Sequence, residues 1–201
     1  MKLFRTNYKK ETDESLMQKI AKGDSYAFEV LYDRYSVHLV NYFYKMLWQD
    51  REKAEDFMQD LFTKIVQKPE AFDISRKFKT WLFSVANNMC KNEYRKQEVR
   101  KNTSNGLDEQ IGIKDLGNLQ QDKQVDINFF SEALDRELEK LDAKHKTTFI
   151  LRFKMNLSIK EIADALDTSP GTVKSRIFYT LKKLSANLEE FNPLKKEVIN
   201  E

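Results

Sequence analysis

Two helix starts lie eleven residues apart near the end of the chain, and that spacing constrains the fold more than any other feature. Ser158-Ile-Lys-Glu161 is a capping box, in which a serine and a glutamate satisfy each other's backbone donors at a helix N-terminus. Ser169-Pro170 repeats the signal: serine suits the cap, and proline suits the first position, where no donor is needed. Only Asp167-Thr168 is left between the two helices, with Asp167 where many such turns carry glycine. Aspartate tolerates the left-handed conformation better than most residues, so the turn can still close. Val173, Ile177, Leu181 and Leu184 give the second helix an apolar stripe, which should pack on Ile162, Ala163 and Leu166 of the first. From Thr168 to Leu188 there are four cations and no acid. A tight helix pair with a basic second member reads as a helix-turn-helix. A helical hairpin with a merely solvated basic face fits the same pattern.

The rest of the 201 residues point to an all-α protein. Glycine (5) and proline (3) are scarce, and fourteen phenylalanines supply real cores. The net charge of +3 is too small to identify a nucleic-acid partner, so the distribution of charge matters more than its sum. Cys90 stands alone among Val85, Ala86 and Met89 and reads as a small core residue. No stretch has the roughly 20 apolar residues of a membrane span, and the first residues lack an apolar signal core. The expected compartment is the cytoplasm.

Composition changes near residue 99. From Arg100 to Asp126 apolar residues are isolated and the chain reads as a loop. This divides the sequence into a block at 12–98, a linker at 99–130, a second block at 131–190 and a tail at 191–201. The first block reads as four helices: a short one around Leu16–Ile20, a longer one from Phe28 to Met46, a third from Arg51 to Val66 stopped before Pro69, and a fourth from Phe78 to about Gln97.

Two of these helices have unusual outer faces. On the third, Glu52, Asp56, Gln59 and Thr63 share one side, with Asp60 beside them. Such a strip fits an ordinary solvated face, or a docking surface. Neither histidine, His38 or His145, accompanies it, so metal chemistry has no support there. On the fourth, Ser84, Asn87, Asn88, Lys91 and Arg95 oppose Leu82, Val85, Ala86 and Met89. Amide and hydroxyl groups can read base edges, and cations take phosphates. The preceding Phe72-Asp-Ile-Ser-Arg-Lys-Phe-Lys79 mixes aromatic and basic residues, a mixture suited to unstacked bases. Trp81 reads as core packing beside it.

In this order the motifs resemble the bacterial sigma factors of the extracytoplasmic-function type, in the sigma-70 family. They are Ala54-Glu-Asp-Phe-Met-Gln-Asp-Leu-Phe62, Phe78-Lys-Thr-Trp-Leu-Phe-Ser-Val-Ala-Asn-Asn88, and Glu161-Ile-Ala-Asp-Ala-Leu followed by Gly171-Thr-Val-Lys-Ser-Arg176. The resemblance implies two helical domains, region 2 and region 4, on a flexible linker, and a protein that directs core RNA polymerase to promoter DNA. It implies that Asp56, Gln59 and Asp60 dock on the polymerase. Lys79, Ser84, Asn87, Asn88, Lys91 and Arg95 would contact the minus-ten element, and Thr172, Lys174, Ser175, Arg176, Phe178 and Tyr179 the minus-thirty-five element. An anti-sigma factor is a further possible partner; no cofactor, metal or small-molecule substrate is implied. Where the family often has proline after the leucine opening region 4, Leu141 is followed by Asp142, which can cap the next helix itself. The acidic linker residues Asp108, Glu109, Asp115, Asp122 and Asp126 fit either a nucleic-acid mimic or a solvated tether.

The alternative is a conventional helix-turn-helix regulator with the first block as a ligand or dimer domain. An enzyme has little to recommend it, since no Gly-rich phosphate loop, nucleophile–base pair or metal spacing is present.

Overall fold

The computed structural model describes residues 8–103 and 122–191. Helix α1 (Asp13–Ile20) is capped by Thr12, which accepts from the Ser15 amide. Gly23, at φ 86°, makes the left-handed turn that ends it. Helix α2 (Ser25–Met46) starts under Asp24, which accepts from the Tyr26 and Ala27 amides. Helix α3 (Arg51–Gln67) starts under Asp50 and stops before the 3-10 turn Pro69–Ala71, as a proline demands. Helix α4 runs Phe78–Thr103. Its first turn is tied down by α1: Glu14 Oε1 accepts from the Phe78 amide at 2.9 Å. Leu31, Leu39, Tyr42, Phe43, Leu61, Ile65, Phe78, Leu82 and Phe83 fill the core between them.

The second block contains α5 (Asp122–Glu139), α6 (Ala143–Phe149), α7 (Ile159–Leu166) and α8 (Pro170–Asn187). Asp142 caps α6 as its sequence position requires, accepting from the Lys144 and His145 amides. The chain then continues through a π-helical turn, Ile150–Lys154. Leu138, Phe149 and Leu184 bind α5, α6 and α8 together in a small separate cluster.

One expectation changes here. The loop read over Arg100–Asp126 is shorter at both ends, because α4 continues to Thr103 and α5 begins at Asp122. The acids Asp108, Glu109 and Asp115 lie outside the described residues. The two blocks also pack against each other, which the reading of two domains on a linker left open. Helix α4 lies along α7, and Ile150, Leu151, Met155, Leu157, Ile162, Ala163 and Val173 join the core cluster of the first block. Polar contacts reinforce this seam: Lys45 pairs with Asp135, Lys77 with Glu161 at 2.9 Å, and Gln49 Nε2 donates to Glu139 at 3.3 Å. The apolar side of α7 serves both α8 and α4, a double use that its own sequence pattern does not announce.

Candidate nucleic-acid and polymerase interface

The helix-turn-helix forms as its caps dictate. Ser158 accepts from the Glu161 amide at 3.2 Å while Glu161 Oε2 accepts from the Ser158 amide at 2.8 Å. Asp167 turns the chain at φ 50°, ψ 60°, in the left-handed region. Ser169 accepts from the Thr172 amide at 3.0 Å and starts α8. Val173, Thr180 and Leu184 are buried and Ile177 half-buried. Leu181, expected in that stripe, is instead exposed. At about 100° per residue it stands well round the helix from Val173, Thr180 and Leu184, which nearly superpose.

The remaining face of α8 is open. Lys174, Ser175, Phe178 and Tyr179 are exposed, and Thr172 and Arg176 half-buried. Phe178 and Tyr179 each keep 62% of their surface, with ring centroids 5.4 Å apart, so neither is core. The Ser175 hydroxyl donates to its own helix, to the Gly171 carbonyl at 3.1 Å, and has acceptor capacity left for a partner.

On α3, Glu52, Asp56, Gln59, Asp60 and Thr63 are all exposed and form one polar strip, opposite Met58, Leu61 and Ile65. The helix is fastened to α4 by Lys53, which lies 2.6 Å from Glu93 and holds that carboxyl below its ordinary range. Among the described residues no group of three or more His, Cys, Asp or Glu is placed to hold a metal ion, and no helix is long and apolar enough to cross a membrane.

On α4 the proposed minus-ten set splits. Asn88, Lys91 and Arg95 are exposed and Ser84 half-buried, all on one face. Asn87 is not with them: it is only 3% exposed, and its Nδ2 has no hydrogen-bond partner. One residue along a helix is about 100° of rotation, enough to carry Asn87 onto the buried side with Phe83 and Cys90. Lys79 also leaves the set. It lies on the far side of α4, in a cavity at the seam with Arg34, His38 and Lys154. The segment before α4 carries exposed Ile74, Ser75 and Arg76, while Phe72 is buried against Phe78 and Trp81, with centroids 5.5 Å and 5.2 Å away. Trp81 is accordingly a packing residue. Cys90 is fully buried, and burial pushes its thiol pKa up, which makes it inert.

Glu161, invisible to the sequence reading except as a cap, has a second role. Lys77 is the main reason its carboxyl is lowered from 4.5 to about 2, followed by the Ser158 amide. The only signal for this pair was charge complementarity between two segments far apart in sequence.

Two family profiles match the chain: Sigma-70 region 2 over residues 31–100, and Sigma-70, region 4 over residues 131–184. The chain is 31% identical over 180 residues to the ECF RNA polymerase sigma factor SigW of Bacillus subtilis, covering 87% of this chain and 95% of that protein. It is 32% identical over 175 residues to the ECF RNA polymerase sigma-E factor of Haemophilus influenzae, covering 83% and 90%. Among solved structures, the fold is similar to that of CnrH in complex with the cytosolic domain of CnrY, with a TM-score of 0.65 at 23% identity over 90% of this chain and 99% of that one. It is also similar to the sigma factor RpoE in complex with the anti-sigma factor NepR from Bartonella quintana, with a TM-score of 0.60 at 23% identity over 76% and 90%.

Proposed function

Since the chain belongs to the extracytoplasmic-function sigma factors of the sigma-70 family, which bind core RNA polymerase and direct promoter-specific transcription initiation, we propose that three exposed faces divide that work. As a sigma factor it is an initiation factor and not an enzyme. The α3 strip of Asp56, Gln59 and Asp60 docks on the polymerase. The α4 face of Ser84, Asn88, Lys91 and Arg95 meets the minus-ten element, with Asn88 at base edges and the two cations on phosphates. On α8, Lys174, Ser175, Phe178 and Tyr179 enter the major groove at the minus-thirty-five element, and Thr172 and Arg176 reach its walls.

The observation that carries this division is the exposure of two polar-basic helix faces in two different blocks, with an acidic strip apart from both. The working units are residues 12–98 and 131–190, with 99–130 between them and 191–201 as a tail. The packed seam bears on mechanism. Lys79 lines the cavity there, so it joins promoter recognition only if the blocks separate on the polymerase, and Asn87 is buried on the inner side of α4. The protein works in the cytoplasm, where its polymerase is. The solved complex of the sigma factor RpoE with the anti-sigma factor NepR supports an anti-sigma factor as a further partner.

Run-off transcription with core polymerase on a pool of genomic promoters tests the whole reading. Promoter-specific transcripts that require both proteins are expected. Tight, specific binding to duplex DNA by the chain alone would favour the regulator alternative, which the region 2 match over residues 31–100 disfavours.

A further inference from the structure

We propose that the cavity at the seam between the two blocks is a binding site for a small phosphate-type oxyanion, and that its occupant locks the blocks together. The cavity holds about 240 Å³, too small for a drug-sized organic ligand and ample for phosphate or pyrophosphate. Arg34 and His38 reach it from α2, Lys79 from α4, and Lys154 and Asn156 from the end of the π-helical turn. No carboxylate lines its wall.

The contrast with the rest of the seam is what points to an anion. Lys45 has Asp135, Lys77 has Glu161, and Lys146 has Glu139, the last at 2.8 Å. Lys79 and Lys154, one from each block, make no ion pair among the described residues. Arg34 has its guanidinium committed to Asp13 and to the carbonyls of Lys9 and Glu11, so it is a fixed donor of field and not a free fork. Two ammonium groups lining one cavity without a carboxylate partner repel, and because Lys79 is half-buried while Lys154 and Asn156 are exposed, the site opens to solvent on the side of the second block. An oxyanion between them reverses the sign: each lysine gains a charge-assisted hydrogen bond, and the Asn156 amide can add a neutral one. Asn156 stands at φ 54°, a conformation asparagine tolerates, at the rim of the cavity.

Because the site is built from both blocks, an anion that fills it binds the closed arrangement and stabilises it by mass action. That step does not depend on the promoter assignment. Its consequence does: an occupied cavity holds Lys79 in the seam and opposes separation of the blocks on promoter DNA.

The test is calorimetric titration of the full chain with sodium phosphate and with pyrophosphate at constant ionic strength, beside the variants Lys154→Gln and Lys160→Gln. Lys160 is exposed on α7, outside the cavity. One saturable site is expected in the parent and in Lys160→Gln, with roughly tenfold weaker binding in Lys154→Gln, the worth of one charge-assisted contact. At equal phosphate concentration the melting temperature should rise more for the parent than for Lys154→Gln. Unsaturable heats, an equal loss in both variants, or unchanged binding in Lys154→Gln would overturn the site. Run-off transcription without phosphate keeps the two readings apart: if Lys154→Gln transcribes normally and binds phosphate like the parent, the oxyanion site fails and the sigma assignment stands.

Discussion

Lys77 Nζ and Glu161 Oε1 lie 2.9 Å apart, although 84 residues separate them in the chain. Lys77 belongs to the segment that leads into the minus-ten helix, and Glu161 closes the capping box of the helix-turn-helix. One carboxylate therefore serves local helix structure and the seam at once. Glu161→Gln separates the two roles, since glutamine can still accept from the Ser158 amide but carries no charge. It should leave helix content unchanged and shift the closed-to-open ratio by roughly fivefold at most, as suits an exposed ion pair. Distance measurement between dyes on the two blocks reads it. The pH dependence has a definite sign. Glu161 is depressed from 4.5 to about 2, so its contribution is complete above about 4.5 and disappears as pH falls towards 2. Acid should open the seam in that window, and Glu161→Gln should not show this component. An identical acid transition in parent and variant would remove Glu161 from the account.

Reversing charge on the α3 strip should separate docking from folding. Asp56 and Asp60 are exposed and face away from Met58 and Leu61. Asp56→Lys and Asp60→Lys should each change stability by no more than ~0.5 kcal/mol and weaken binding to core polymerase. Binding assays against core, alongside melts, decide it: parent-like affinity in both folded variants would remove the strip from the interface.

The C-terminal core gives a stability contrast within one helix. Val173 is fully buried between the helices, whereas Leu181 keeps 43% of its surface. Val173→Ala should cost about 2 kcal/mol, from lost burial plus a small void. Leu181→Ala should cost less than half of that. Denaturant melts of the full chain test the order, and a larger loss at Leu181 would mean the packing of α8 is misassigned.

What the sequence made legible follows the range of each interaction. The caps at Ser158, Ser169 and Asp142, the left-handed Asp167 and the end of α3 before Pro69 are local, and each stands where its residue type placed it. The solvent-facing strip on α3 also needed only helical periodicity. The misjudged residues concern faces that periodicity cannot label. Asn87 is polar, so its pattern read as outward, yet it falls on the buried side of α4 with Phe83 and Cys90. Leu181 is apolar, so it read as inward, though α8 buries a narrower arc. Lys79 was grouped by chemistry with residues on the opposite side of its helix. Each depends on which arc of a helix its neighbours cover, and that is a long-range property.

The split within the asparagine pair is a direct consequence. Asn88 is exposed and Asn87 is buried with an unsatisfied Nδ2. Asn88→Ala should change the preferred minus-ten sequence without affecting stability. Asn87→Ala removes a buried, unsatisfied Nδ2, a gain that offsets the cost of the small void it leaves, so it should change the stability of the isolated chain by no more than about 1 kcal/mol. If Asn87 reads DNA after the blocks part, the same variant also changes base preference. Selection from randomised minus-ten elements, with melts beside it, gives both readings; a loss well beyond that of a small buried void would show that its amide has a partner.

The recognition helix offers the most discriminating experiment, because its exposed residues touch nothing whose loss would unfold the domain. Lys174 is exposed and Arg176 half-buried, and neither forms an ion pair among the described residues. Alanine at either should keep stability near the parent value. Both should lower transcription from promoters that depend on the minus-thirty-five element, most at low salt, and should make promoter use less salt-dependent, because each removes a cation that releases counterions on binding. Tyr179→Ala should behave differently. Tyr179 and Ser175 are one helical turn apart, so removing the exposed ring should change which bases are preferred as well as the overall rate. Promoters that rely on the minus-ten element alone serve as the control and should be used at the parent rate. Full transcription of minus-thirty-five-dependent promoters by both Lys174→Ala and Arg176→Ala in moderate salt would reduce α8 to a packing helix whose basic face is only solvated.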